Sequence, residues 1–304
     1  MDGSAWLTVV TAWALASAAG LAMWVWIAVR LIRHEPILPF APRRPVPWGG
    51  RSVLLIMSVF FAPLLLAPLF GHAGKRTGGT QHPIVTLIHN EPSWPNLCLV
   101  AWAATVVAPI VEEFIFRLVI QGWLEKAERQ SRRSAFARKL LKRLPPRWSG
   151  MLRGVFPVLL VSLLFASLHF PAAESEPRVV VKSLVQDSIY KTLVLAVGVA
   201  VLRVGAHATA IDFGVVRREF WRDARLGVLT FLAIAAPIFV LQGLLRYLFH
   251  DVLEVSIAAD PFTLVPFAVV LGILYYRTHR IVPSLALHVC LNATSLALLV
   301  CGVG

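Results

Sequence analysis

Eight long apolar runs dominate this sequence and constrain what it can fold into. They cover residues 6–32, 53–70, 97–123, 155–170, 184–204, 226–249, 262–276 and 281–303. About 20 apolar residues in a helix cross the hydrocarbon core of a bilayer, and several runs reach that length, although the fourth and seventh are short. Because 58% of the residues are hydrophobic and 15% are charged, polar residues are too few to cover a water-soluble globule. The sequence therefore predicts an all-α, polytopic membrane helix bundle of about eight transmembrane helices.

Basic residues are concentrated in every second loop between these runs. They follow the first, third, fifth and seventh runs, and the densest cluster extends from Lys126 to Arg153. The intervening loops carry few cations or are acidic, as with Asp251, Glu254 and Asp260 in the last of them. Since cytoplasmic loops of membrane proteins are enriched in Lys and Arg, the pattern predicts that both termini lie outside the cytoplasm.

The net charge of +13 would also suit a protein that binds nucleic acid. Cations next to membrane spans meet anionic lipid headgroups, however, and this explains the charge better. We therefore expect membrane lipid, and no nucleic acid, among the partners. The three cysteines, Cys98, Cys290 and Cys301, lie in apolar runs without CxxC spacing, so they predict neither a disulfide framework nor a structural zinc site.

Three charged residues interrupt the third apolar run, in the stretch APIVEEFIFRLVIQGW at residues 108–123. An ionised group near the bilayer centre costs about 2.5–3.5 kcal/mol, so these side chains are expected to face the bundle interior. Positions four apart stack on one face of a helix, which pairs Glu113 with Arg117 in the favourable order of acid before base. Glu112 is left without a local partner and is a candidate general base. The alternative is a buried polar lock that fixes helix register and carries no chemistry.

Two further pairs of polar or aromatic residues occur at the same helical spacing. Phe165 and His169 are four apart in FASLHF, at the end of the fourth run, and His288 and Asn292 are four apart in HVCLN, in the eighth. Peptide hydrolysis needs a base that deprotonates water, imidazoles that orient the water and an amide donor for the oxyanion. Together with Glu112, these residues supply that set of groups.

The three motifs resemble those of the CAAX protease and bacteriocin-processing membrane proteins, which include the type II CAAX prenyl endopeptidases. Their motifs read Glu-Glu-x-x-x-Arg, Phe-x-x-x-His and His-x-x-x-Asn or Asp, and all seven positions are filled here. The resemblance implies a single intramembrane endopeptidase domain over residues 1–304, in the inner membrane of a bacterial cell. It also implies a membrane-associated, prenylated or leader peptide as the substrate.

The resemblance also assigns roles to the residues of the motifs. Glu112 would activate water together with His169, while His288 and Asn292 would support the oxyanion. Glu113 and Arg117 would hold the first motif in place, which completes the set of candidate catalytic residues. A noncatalytic membrane scaffold of the same fold is the alternative. A transporter would predict repeats around a midplane site, and the sequence has no visible repeat.

Members of this family are described both as metalloproteases and as glutamate-dependent proteases. Glu112, His169 and His288 could supply three zinc ligands and leave a position for water. The two histidines come from different helices, however, and the chain has no HExxH pair. We therefore favour metal-independent chemistry by Glu and His, with zinc as the possible cofactor and no cofactor certain.

The order of the predicted helices differs from that expected of the family. The motif helices cover about 97–123, 155–170 and 281–303, and the helices within 184–249 lie between the second and third motifs. They look displaced from a position before the first motif. Two helices that form a hairpin enter and leave the bundle on one side, so moving them need not change the topology of the remaining helices. The motif helices are therefore still expected to converge.

Overall fold

The computed structural model describes residues 3–38, 40–42, 44–63, 83–134, 153–169, 177–253 and 260–301. All regular secondary structure in these ranges is helical, which confirms the predicted fold class. The helices are α1 (Gly3–Ile32), α2 (Gly50–Phe60), α3 (Pro83–Asn90), α4 (Trp94–Arg132), α5 (Val155–Ser167), α6 (Pro177–Ala200), α7 (Phe220–Tyr247), α8 (Asp260–Thr278) and α9 (Ile281–Val300). Half of the cations in the basic cluster between Lys126 and Arg153 lie outside the described residues, as does Glu254 of the last loop.

Five of the described helical stretches are long and apolar enough to cross a membrane. They are Trp94–Arg132, Val179–Gly205, Arg217–Tyr247, Pro261–Thr278 and Ile281–Val300. Shorter apolar helices occur at Ser17–Ile32, Gly50–Phe60 and Val155–Ser167. The predicted number of eight spans is therefore not confirmed, although every predicted run contributes helix. Residues 64–70 of the second run lie outside the described part of the chain.

The longest of these spans, α4, is the central helix of the bundle. It runs for 39 residues. Two π-helical segments, Ala103–Val107 and Glu113–Gln121, interrupt its α-helical hydrogen bonding. Every residue of Glu113–Gln121 is buried, including the polar Glu113, Arg117 and Gln121, so other helices enclose this segment on all sides. π-Helical turns are rare and frequently mark functional sites.

Helices α6 and α7 do not pack as a simple hairpin beside the motif helices. Instead, α6 packs mainly against α2, α3 and α4, whereas α7 packs mainly against α1 and α9. The connection between them is anchored at Asp212, which binds the Arg44 guanidinium, and at Gly214, whose carbonyl oxygen accepts from the N–H of Ile281. The two helices thus flank the motif helices, which can still meet.

The start of α5 is fixed against the end of α4. Gly154 precedes α5 with a φ of 74°, a conformation that glycine adopts without strain. A Cβ there would lie 2.2 Å from the Tyr276 ring, so no side chain fits at this position. The N–H of Gly154 donates to the Glu128 carboxylate at 3.0 Å, and Glu128 also binds Arg132. These contacts set the position of the helix that leads to His169.

Candidate active site

The three sequence motifs meet beside the middle of α4. Glu112 ends an α-helical stretch, immediately before the π-helical segment. Its Oε2 atom lies 3.5 Å from Nε2 of His169 and 3.7 Å from Nε2 of His288. The side chain of Glu112 is 12% exposed, so it borders accessible space at the edge of the packed core. The structure thus brings together the carboxylate and both imidazoles named from the sequence.

His169 reaches Glu112 because α5 is short. The helix ends at Ser167 after 13 residues, a length of about 20 Å, whereas the hydrocarbon core of a bilayer is about 30 Å thick. The end of α5 can therefore lie level with the middle of α4. His169 follows in a turn, where its backbone N–H donates to the carbonyl oxygen of Ala166 at 3.1 Å.

The Phe165 ring packs beneath the polar groups of the site and lies next to residues of all three motifs. It is fully buried. Its centroid lies 4.4 Å from the His169 ring, 5.7 Å from the His288 ring and 5.6 Å from the guanidinium carbon of Arg117. This geometry explains why the second motif contains an aromatic residue one helical turn before its histidine.

Hydrogen bonds determine which nitrogen of each imidazole faces Glu112. Nδ1 of His169 lies 2.7 Å from the carbonyl oxygen of Phe165, and Nδ1 of His288 lies 3.0 Å from Oε1 of Glu113. Both oxygens can only accept, so both Nδ1 atoms carry the hydrogen. In the neutral imidazoles, the Nε2 lone pairs are then directed toward the Glu112 carboxylate. The Glu112 carboxylate and the two Nε2 atoms are thus three hydrogen-bond acceptors that face one another. A proton, a water molecule or a cation between them would satisfy them.

Glu113 and Arg117 form a fully buried pair. The Nε atom of Arg117 lies 3.8 Å from Oε2 of Glu113, and both side chains are 0% exposed. Within the described part of the chain, the three guanidinium nitrogens have no hydrogen-bond acceptor. The cation is therefore balanced by the Glu113 charge and by the face of the Phe165 ring. The ion pair predicted from the spacing is present.

Asn292 is anchored to α4 as well as facing the site. Its Nδ2 atom donates to the carbonyl oxygen of Ala104 at 2.8 Å, within the first π-helical segment. This is the interhelical contact that a purely structural asparagine would make. A primary amide carries two N–H donors, however, so one remains for an oxyanion.

A cavity of about 480 Å³ is lined by two of the candidate catalytic residues, His169 and Asn292. Its walls are mostly apolar and come from several helices, and its polar lining consists of His169, Gln242, Thr263, Asn292 and Ser295. Ligand pockets in proteins have this size and this combination of apolar walls with few polar groups. The cavity therefore offers space for an apolar substrate segment next to the imidazole of the second motif.

The donor groups of the site are those that a zinc ion takes, namely one carboxylate and two imidazole nitrogens. The arrangement does not fit the ion as it stands. No three His, Cys, Asp or Glu side chains in the described residues are placed to hold a metal ion.

A charged pair near the site was not considered in the sequence analysis. Nζ of Lys191 lies 2.8 Å from Oδ2 of Asp187, and both residues belong to the apolar helix α6. The criterion that singled out Glu113 and Arg117, an ionisable residue inside an apolar run, would also have found this pair. The cavity residues Gln242, Thr263 and Ser295 carry no such signal in the sequence.

Comparison with known proteins agrees with the motif geometry. The chain matches the family described as type II CAAX prenyl endopeptidase Rce1-like over residues 94–211 and 213–294, which include all three motifs. No curated protein and no solved structure matches it. The matched residues span more than half of the chain, and the apolar helices are those of a membrane protein. The chain is thus an integral membrane protein that belongs to the type II CAAX prenyl endopeptidase family.

Proposed function

We propose that the protein is an intramembrane endopeptidase that hydrolyses a peptide bond with water activated by Glu112. The observation that carries the proposal is the convergence of the Glu112 carboxylate with the Nε2 atoms of His169 and His288, at 3.5 and 3.7 Å. A water molecule between these three acceptors can donate its two hydrogens and present its oxygen lone pair to a carbonyl carbon. The family indicates protease activity.

In the proposed reaction, Glu112 accepts a proton as the water oxygen bonds to the scissile carbonyl carbon. The carbonyl π electrons move to its oxygen, and an oxyanion results. When the carbonyl re-forms, the C–N bond breaks and the amide nitrogen takes the proton from Glu112. The products are a carboxylic acid and an amine, and the Glu112 carboxylate is restored.

The other motif residues position these groups. The second hydrogen of the water is accepted by an imidazole Nε2, because the Nδ1 hydrogens of His169 and His288 are already donated elsewhere. Glu113 accepts one of these hydrogens and fixes the His288 ring, and Arg117 balances the Glu113 charge. The second N–H of Asn292 is the proposed donor to the oxyanion.

The mostly apolar cavity favours a membrane-associated substrate, such as a prenylated or leader peptide. Membrane lipid and a peptide are thus the proposed partners. The basic loops favour an orientation in which they face the cytoplasm. We place the protein in the inner membrane of a bacterial cell on the strength of the resemblance of its motifs.

The proposal is tested by comparing peptides from membranes of cells that express the wild type, Glu112→Gln or Glu91→Gln. Glu91 is an exposed glutamate outside the site and serves as the matched control. New peptide termini are expected with the wild type and the control, and they should disappear with Glu112→Gln. The same termini with Glu112→Gln would exclude this role of the carboxylate. Identical termini in all cells, including those without the protein, would support a noncatalytic scaffold instead.

A further inference from the structure

Helix α6 runs parallel to the catalytic helix α4 and in contact with it. Val180, near the start of α6, belongs to one buried cluster with Val100, near the start of α4. Further along both helices, Gly198 lies against Phe114, and an added Cβ at Gly198 would be 2.5 Å from the Phe114 ring. These two contacts fix the register between the helices.

This register places Lys191 beside the catalytic carboxylate. Lys191 lies two helical turns before Gly198 and therefore on the same face of α6. The matching level on α4 is near Val107, about 7.5 Å before Glu112, a distance that the four-carbon stem of a lysine can largely cover. The ammonium is close enough to interact electrostatically with Glu112 and with His169.

The Lys191 ammonium has more N–H donors than its contact with Asp187 requires. It carries three N–H groups, and Asp187, at 2.8 Å, is its one ion-pair partner in the described part of the chain. The Asp187 side chain is 49% exposed, whereas that of Lys191 is 23% exposed. The pair thus lies at an accessible edge of α6, with the cation directed inward. Ionisable residues at such positions in membrane helices are expensive to insert and usually serve a site.

We propose that Lys191 binds a carboxylate of the substrate peptide, on the leaving-group side of the scissile bond. The carboxylate is either the free C terminus or an acidic side chain near it. This inference rests on the proposed function. Three extended residues span about 10 Å, so a carboxylate three residues beyond the scissile bond can reach the side of the site on which Lys191 lies. A prenylated cysteine followed by three residues would place its terminal carboxylate there. Lys191 also offsets the repulsion between that carboxylate and Glu112.

The test uses three S-prenylated peptides that differ only at the C terminus. One ends in a free carboxylate, one is the same peptide as an amide, and one is an amide with aspartate as its last residue. Cleavage is measured with the purified protein in detergent for the wild type, Lys191→Met, Lys191→Arg and Lys182→Met. Lys182 is an exposed lysine on the same helix and is the matched control.

Lys191→Met is expected to lower kcat/KM on the free acid by about tenfold to a hundredfold, mainly through KM, and to leave the plain amide unchanged. Lys191→Arg and Lys182→Met should keep the preference for the acid. A loss confined to the aspartate-containing amide would identify a side-chain carboxylate as the ligand. Equal effects on all three peptides, or none, would overturn the proposal.

Asp187→Asn separates ligand binding from a structural ion pair. It releases Lys191 from its competing partner, so KM for the free acid should fall below that of the wild type. If the ion pair only stabilises α6, Asp187→Asn and Lys191→Met will lower the midpoint of thermal unfolding to a similar extent. The ratio of cleavage of the free acid to cleavage of the amide will then stay at the wild-type value in both variants. If the wild type cleaves none of the peptides and releases no termini in membranes, the proposed function fails before Lys191 is tested.

Discussion

Nδ1 of His288 donates to Oε1 of Glu113 across 3.0 Å, and both side chains are buried. The other carboxylate oxygen of Glu113, Oε2, faces Arg117 at 3.8 Å. Glu113 therefore serves two partners from two helices. It balances the buried guanidinium, and it also determines which nitrogen of His288 faces the Glu112 carboxylate.

Glu113→Ala should lower both stability and activity. The variant leaves the Arg117 cation buried without its counter-ion, a change that typically costs about 3–5 kcal/mol. The midpoint of thermal unfolding in detergent measures the loss. Glu113→Gln keeps the shape and an acceptor for His288 but lacks the charge, so it should retain more activity per folded molecule than Glu113→Ala. An unchanged midpoint for Glu113→Ala would contradict a structural role for the pair.

Asn292→Ala should lose turnover rather than substrate binding. Removal of one oxyanion donor lowers kcat by about 100- to 1,000-fold, whereas loss of the bond to Ala104 costs about 0.6 kcal/mol of stability. Steady-state kinetics and thermal unfolding together separate the two effects. Ser295→Ala, one turn further along the same cavity wall, is the control. Normal turnover with lowered stability would leave Asn292 as a helix anchor only.

Chelation of metal ions should not abolish activity. In the proposed reaction Glu112 accepts the proton directly from the attacking water, without a metal ion. Activity after dialysis against a chelator, together with metal analysis of the active protein, checks this expectation. One equivalent of zinc in the wild type, lost together with activity in His169→Ala, would contradict it.

The contribution of Asp212 to stability should depend on pH. Burial raises the pKa of Asp212, but hydrogen bonds from Thr209 and the Arg44 cation outweigh it and hold the pKa below the ordinary value of 3.8. Because the pKa of Asp212 is lower in the folded state, the ionised side chain stabilises the fold in full well above pH 3.8. This stabilisation is lost as the pH falls through the pKa that Asp212 has in the folded protein.

The difference in unfolding midpoint between wild type and Asp212→Asn measures this effect. It should be constant from pH 7 to about pH 5 and should shrink in more acidic solution. Glu91→Gln, at an exposed site, should show a much smaller difference over the same range. If the difference in unfolding midpoint between wild type and Asp212→Asn grew on acidification, the pKa of Asp212 would be raised in the folded state and the prediction would be wrong.

Gly227→Ala should weaken the contact between α7 and α9. A Cβ at Gly227 would lie 2.4 Å from the carbonyl oxygen of Pro283 and 2.9 Å from the N atom of Leu287, next to His288. Such overpacking costs about 1–3 kcal/mol, and the shift of α9 should also reduce activity. Gly243→Ala, on the same helix, has open space around the new methyl group. This control should be at least as stable as the wild type.

Several features of the fold and site could be predicted from the sequence. The apolar runs predicted the helices, and the spacing of four residues predicted the pairing of Glu113 with Arg117. The spacing did not reveal that Glu112 has two imidazole neighbours, because these come from distant helices. Their approach was expected from the resemblance of the motifs and not from any local pattern. The predicted displacement of the helices within 184–249 stays a prediction.

Other features leave little trace in the sequence. The packing partners of α6 and α7 could not be predicted, since hydrophobicity does not specify which neighbours an apolar helix chooses. The fourth run ends as helix at Ser167, because a chain can leave the helix inside a bundle where other helices satisfy its polar groups. The π-helical turns of α4 have no residue code of their own, so the sequence predicted a uniform α-helix.

The π-helical segment Glu113–Gln121 changes the angular phase between the two ends of α4. An α-helical turn closes on the fourth residue, but a π-helical turn closes on the fifth. Each residue of a π-helix therefore turns the chain by less than the roughly 100° of an α-helix, so rewinding this segment as α-helix would turn Gly122–Arg132 to another face relative to Glu112. A single helical wheel drawn for α4 would therefore assign residues on one side of this segment to the wrong face. Substitutions along α4 should be interpreted with one helical wheel for the residues before Glu113 and another for those after it.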